Sequence, residues 1–302
     1  MIMSILNVVL IMLLAPLLMG VINRTKALAA GRTGQPLLQL YYDISKLLRK
    51  GTVLSKTTTW IFLAGPVVAV ASALAATLLL PFGNHPALLS FTGDMLVFIY
   101  LFALARFFVA AAAMDTGSAF EGMGASREVT FSALAEPAML FGLLALARLS
   151  GSLTLSDMLA IGESGAWDKA SASVVLIVIS WFIVLLAENS RVPFDDPNTH
   201  LELTMIHEVM VLDHGGPAFG LILYGAALKL TLFCALVATL LLPFSSGIPI
   251  VDSVMTAVAI LITGVAVGIV ESSMARLRLV RVPQLLITAT LLSAFAVVLL
   301  LR

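Results

Sequence analysis

Apolar residues in this chain collect in runs of about twenty, the length an α-helix needs to cross the hydrocarbon core of a bilayer. Eight such runs predict eight spanning helices, over 3–22, 60–82, 95–114, 129–147, 172–188, 218–243, 250–270 and 283–301. No Lys or Arg precedes the first run, which is too long for the apolar core of a signal peptide, so it reads as an uncleaved span. Between the first two spans the pattern takes a helical period. Leu37, Leu38, Leu40, Tyr41, Ile44, Leu47 and Leu48 fall at helical spacing, with Gln39, Asp43, Lys46, Arg49 and Lys50 in the other positions. That predicts an amphipathic helix in the membrane interface, serving as a plain surface anchor, a cavity roof or a docking element. Another helix is predicted over about 197–214, where Asp196-Pro197 fits an N-cap with proline at N1 and Gly215-Gly216-Pro217 fits a stop. The expected fold is an all-α polytopic membrane domain over 1–302.

Composition agrees with that pattern. The chain is 60% hydrophobic and 11% charged, whereas soluble domains average about 25% charged. A soluble enzyme, a disordered tail and a nucleic-acid binder are thereby excluded. Lys+Arg and Asp+Glu both number 17, so position carries the information. Arg24, Lys26, Arg32, Lys46, Arg49, Lys50, Lys56, Arg127, Arg191, Arg276, Arg278 and Arg281 all fall in loops of one side. Arg148, Lys169 and Arg302 fall on the other side. The bias makes the first side cytoplasmic and sends both termini to the opposite side. A single cysteine, Cys234, forms no intrachain disulfide and cannot supply the four thiolates of an iron–sulfur cluster. Its apolar neighbours predict a buried, inert thiol.

Two charges remain inside spans, Arg106 and Lys229, and Glu136 lies within the fourth. Counted from the cytoplasmic ends, Arg106 and Glu136 both sit about 10–12 Å deep and Lys229 about 16 Å, at 1.5 Å per residue. Charge buried in lipid is costly unless paired or hydrated. An Arg106–Glu136 pair is therefore expected, with Lys229 continuing a polar route toward the midplane. Pro137 is expected to bend the fourth span and free a carbonyl. Asp115, Glu121, Glu128, Glu188 and Glu271 fall at the inner ends of the spans, where they either fix helix register with ion pairs or form a functional polar axis.

On the helix predicted over 197–214, His200, His207 and His214 recur every seven residues. Successive histidines would lie about 10 Å apart along the axis, too far for a shared metal ion with ligands near 2 Å. A solvated face, or a stripe meeting a partner or protons, remains. The turn-forming Gly31–Pro36 stretch lacks the strand and Gly-Lys-Ser/Thr context of a phosphate loop.

Taken together, the motifs resemble the membrane subunit-1 family of respiratory complex I, and in particular its branch in group 4 membrane-bound nickel–iron hydrogenases and formate hydrogenlyases (hydrogenase-4 component C type). Glu188…Arg191-Val192-Pro193-Phe194-Asp195 is similar to the family's Glu-x-x-Arg-x-Pro-Phe-Asp signature, with Glu202-Leu203 following. Gly124-Ala125-Ser126-Arg127 with Glu136 nine residues on resembles its Gly-x-x-Arg…Glu pattern, and Gly34-x-Pro36…Lys46-Leu47 its amphipathic-helix motif. Asn198 and His200 stand where complex I is rich in carboxylates, while Thr199–His214 and Glu271–Arg278 resemble the hydrogenase branch.

The resemblance implies a prokaryotic inner-membrane subunit without a redox centre, part of a membrane-bound oxidoreductase. Iron–sulfur clusters and a nickel–iron centre would lie in a small and a large partner subunit at the cytoplasmic face, and antiporter-like membrane subunits would move protons or Na+. An ion-path or coupling role falls to Arg106, Asp115, Glu121, Arg127, Glu128, Glu136, Glu188, Arg191, Asp195, Glu202, Glu208, Asp213, Lys229 and Glu271. Partner docking falls to Arg32, Asp43, Lys46, His200, His207, His214, Arg276 and Arg278. No catalytic or metal-ligating residue is assigned. The alternatives are a quinone-binding subunit of a complex-I-like dehydrogenase and an independent ion transporter.

Overall fold

A computed structural model describes residues 2–160, 166–195, 205–241 and 246–301. Among them ten α-helices form: α1 (Ile2–Ala29), α2 (Gln39–Leu48), α3 (Trp60–Leu79), α4 (Asp94–Asp115), α5 (Ala119–Ser150), α6 (Leu155–Leu159), α7 (Ala166–Glu188), α8 (Gly216–Leu241), α9 (Pro249–Ser273) and α10 (Val282–Leu300). All except α2 and α6 are long and apolar enough to cross a membrane, which gives the eight spans the hydrophobic runs predict.

Two boundaries differ from that prediction because hydropathy and helicity end at different places. α1 runs to Ala29 and α5 begins at Ala119, ten residues ahead of the apolar run. The residues between are mostly good helix formers, and nothing among Ala119–Glu128 breaks the ladder. What interrupts the chain is Gly117, at φ +73°, a conformation that glycine adopts without a Cβ clash. Glu121, Arg127 and Glu128, expected in a loop, therefore stand on the first turns of α5. α5 also runs through Pro137 as one continuous helix.

The larger difference concerns 197–214. Residues 196–204 lie outside the described residues, and with them the Asp196-Pro197 cap, His200 and Glu202. The described remainder is no α-helix: Glu208–Val211 forms a single 3₁₀ turn. Its geometry follows from competition for donors. The Asp195 carboxylate accepts the backbone N–H groups of Ile206 (2.9 Å) and His207 (3.3 Å). That fixes the segment close to α5, where a Cβ on Gly124 would collide with Val209.

α8 is the central post: 72% of its spanning window is buried, against 28–50% for the other spans. It carries the free, buried Cys234. α3 packs on α4, α10 on α5 and α7, and α1 on α9. α2 has no fully buried residue. It crosses from α1, where the Leu37 carbonyl lies against Gly20, to α8, where Ile44, Leu47 and Leu48 face Gly220.

Candidate functional site

Four helices bring ionisable side chains to one interior. Arg106 of α4 forks between two carboxylates, with Nη1 3.1 Å from Glu136 Oε1 on α5 and Nη2 3.3 Å from Glu188 Oε2 at the end of α7. The expected Arg106–Glu136 pair is present, and Glu188 joins it. Lys229 of α8 donates to the same Glu188 oxygen at 2.8 Å and to the Glu188 backbone carbonyl at 2.6 Å, with its Nζ 5.9 Å from the Phe233 ring centre. The Glu188 side chain is 5% exposed, whereas that of Glu136 is 33% exposed. One carboxylate thus holds two cations in a dry place, and the other lies at the wetter edge. Ion pairs in such surroundings interact strongly, and losing one partner leaves the other charge uncompensated.

Above this cluster is a cavity with about 780 Å³ of atom-free space, its mouth included. Arg106, Glu128, Glu188, Arg191, His207 and Lys229 line it together with apolar wall from α3, α4 and α8. Glu128 is 6% exposed. Small residues at Ala69, Ala73 and Gly225 leave the space open. Asn189 and Ser190 also line it, and the motif reading missed both. They had no signal of their own beyond lying inside the Glu188…Arg191 spacing. Burial lowers the His207 pKa from 6.5 to about 4, with Lys229 adding to the effect and Asp195 opposing it. The ring is therefore neutral at ordinary pH.

The signature turn after α7 forms a second charged knot. Arg191 Nη1 lies 3.3 Å from Glu271 Oε1 on α9, and Lys26 Nζ at the end of α1 lies 2.8 Å from Glu271 Oε2. Sequence position alone makes Lys26 a loop charge; the structure gives it this buried partner. Asp195 pairs with Arg276 at 3.0 Å, and the Pro193 carbonyl accepts Leu277 N–H at 2.9 Å. The turn, which contains a cis Val192–Pro193 peptide, therefore holds the α9–α10 connection as well as the 205–207 segment.

The remaining predicted residues separate. Asp115 accepts Thr59 N–H (2.6 Å) and hydroxyl (2.9 Å), fixing the start of α3. Glu121 accepts Asp213 N–H at 3.2 Å, and Arg127 donates to the Met205 carbonyl at 2.9 Å. These groups secure the segment over α5; they do not join the Glu188 cluster. Glu208 opens the 3₁₀ turn.

The structure departs from the expected stripe at His207 and His214, while His200 lies outside the described residues. His214 is 7% exposed, stacks on Phe62 with ring centres 3.9 Å apart, and pairs through Nε2 with the Phe62 carbonyl at 3.1 Å. His207 faces the cavity, and Arg276 is occupied by Asp195. Neither histidine stands on a solvated helix, because the described residues from Met205 onward are held against α5. Arg32, Lys46 and Arg278 are exposed, and Asp43 is half-buried and accepts from Gln39 at 2.9 Å. Among the described residues no three His, Cys, Asp or Glu side chains converge as a metal site.

With this geometry in place, comparison with known proteins gives a consistent result. Residues 2–302 match the family described as NADH dehydrogenase. The chain is 32% identical over 278 residues to formate hydrogenlyase subunit 4 of Escherichia coli, covering 90% of this chain and 89% of that protein. It is 31% identical over 277 residues to hydrogenase-4 component C of the same organism, covering 89% and 85%. A chain in the structure of the membrane-bound sulfane sulfur reductase, an archaeal respiratory membrane complex, has the same fold. Its TM-score is 0.81 at 20% identity, with 99% and 98% of the two chains covered.

Proposed function

This chain belongs to the NADH dehydrogenase family, and on that premise we propose that it is the membrane-embedded coupling subunit of a hydrogenase- or formate-hydrogenlyase-type oxidoreductase complex. The observation that carries the reading is the Glu188 carboxylate, shared between Arg106 and Lys229 beside a cavity on the side where the loops are basic. The chain contributes no electron carrier. A small iron–sulfur subunit and a nickel–iron large subunit, docked at the cytoplasmic face of a prokaryotic inner membrane, supply the redox chemistry. Antiporter-like membrane subunits carry protons or Na+, and both termini of this chain face away from the cytoplasm.

The physical basis of coupling is a redistribution of partners. A change of charge at the cavity mouth alters which form of a nearby carboxylate is favoured. If Glu136 takes a proton, Arg106 loses one of its two anionic partners and its attraction to Glu188 grows relative to that of Lys229. If Glu188 takes the proton, both cations lose their anchor together. A small local event thus becomes a rearrangement of α4, α7 and α8. Glu128, which also lines the cavity, feels the same field, while neutral His207 serves as a proton acceptor only under strong acid.

The test is purification of the chain in mild detergent with mass spectrometry of everything that co-elutes. The expected set is a nickel–iron-type large subunit, a small iron–sulfur subunit and antiporter-like chains, with H₂-linked activity. An NADH-linked set with stoichiometric quinone would replace this reading with a quinone-reducing one. Ion flux by the chain alone in liposomes would overturn both.

A further inference from the structure

On the bilayer side of α2, away from the charged cavity, α1, α2 and α8 leave an open groove with about 930 Å³ of atom-free space. Its α1 wall runs from Val9 to Pro16, roughly 10 Å at 1.5 Å per residue. Ile44 and Leu48 of α2 roof it. The wall ends at a proline defect. Pro16 has no N–H, so the Met12 carbonyl one turn earlier lacks its helical donor. Tyr224 of α8 supplies one through its hydroxyl at 3.3 Å, and the Tyr41 hydroxyl of α2 donates to the neighbouring Leu13 carbonyl. Both phenols are thus spent on the wall itself, and what the groove presents is chiefly hydrocarbon.

Two of its three walls are spanning helices, so the groove opens at the depth of lipid tails. An apolar hollow offers water no partners, whereas a hydrocarbon chain fills it by van der Waals packing against its walls. At its edge stands Arg49, exposed and with no carboxylate in ion-pair distance among the described residues. Exposed Lys46 and Lys50 flank it. A guanidinium at the interface beside two ammonium groups matches a phosphate ester. We propose that this groove is a binding site for an anionic phospholipid, with one acyl chain along Val9–Pro16 and the phosphate on Arg49. The site is independent of the coupling role above, since it shares no lining residue with the charged cavity.

The test reconstitutes the intact complex in nanodiscs of equimolar phosphatidylglycerol and phosphatidylcholine, re-extracts it in mild detergent, and quantifies retained lipid by native mass spectrometry. The wild type should retain phosphatidylglycerol preferentially. Arg49→Glu should remove the preference, and Ile44→Trp, which fills the groove, should lose the phosphatidylglycerol that the wild type retains. Leu291→Trp, on the 63%-exposed outer face of α10, should change neither. Equal retention of both lipids by the wild type, or unchanged retention in both groove variants, would overturn the proposal. A stoichiometric phosphorus-free isoprenoid in place of phospholipid would overturn it as well.

Discussion

At the end of the bundle where α1 begins, polar groups are buried by hydrogen bonds alone, the neutral end in the sense that none of the ion pairs among the described residues falls there. Asn7 donates to the Phe82 carbonyl at 3.0 Å and accepts from Ser253 at 2.9 Å. Asp94 there spends its carboxylate on backbone, accepting Leu155 N–H at 2.6 Å. At the end where α1 finishes, all six ion pairs among the described residues gather, and Glu188 and Glu271 each hold two cations. The neutral end joins loops to helices with hydrogen bonds that a single rotamer satisfies. The charged end uses groups that a proton can switch off and that have a second partner ready. Buried ion pairs are poor stabilisers relative to a well-packed apolar core. Their concentration at one end of the bundle, three of them around one cavity, is therefore better explained by responsiveness than by stability.

That contrast can be tested by substitutions of graded effect. The largest is Glu188→Ala, which leaves Lys229 and half of the Arg106 fork buried without counter-charge; the loss should be about 3–5 kcal/mol, read as a sharp fall in assembled complex and in unfolding temperature. A loss below that of the neutral-end variants would break the comparison. Next is Gly142→Ala. Its new Cβ would collide with Trp181 Nε1, costing about 1–3 kcal/mol by overpacking, with turnover per assembled complex unchanged. Asn7→Ala should cost about 1 kcal/mol and also leave turnover intact.

A fourth prediction concerns pH. The His207 pKa, lowered from 6.5 to about 4, means the folded protein refuses a proton that the unfolded chain accepts. Its contribution to stability is complete above pH 6.5 and is lost as pH falls toward 4. His207→Gln should flatten the dependence of unfolding temperature on pH over that interval. A shallower slope should remain from His214, whose pKa burial also lowers. The smallest effect on stability belongs to Glu136→Gln. The half-wet Glu136–Arg106 pair should contribute no more than about 1 kcal/mol, yet coupled ion movement, measured as flux per turnover in proteoliposomes, should fall. Full coupling in this variant would remove Glu136 from the proposed axis.

The spans were legible because hydrophobic run length is a one-dimensional property, and the Arg106–Glu136 pair because equal depth on adjacent spans can be counted along each helix. Glu188 as the shared anion was not legible in the same way. Its depth was known, but that Lys229 reaches it depends on how α7 and α8 approach each other. The segment after Asp195 misled for a related reason. Its heptad of histidines and its caps favour a helix locally, while the Asp195 carboxylate and the close approach permitted by Gly124 hold the described part flat on α5. Lys26 was read as topology alone, because nothing in sequence joins residue 26 to residue 271.

The Glu271 knot also orders events during synthesis. Lys26 emerges from the ribosome with the first span, Arg191 after the fifth, and their common anion only with the end of the seventh. Once Arg191 has emerged, every nascent intermediate short of Glu271 carries two cations whose final partner does not yet exist, so the half-made bundle stays electrostatically open at this corner. Completion of α9 is therefore the step that neutralises this corner, with α10 still to follow.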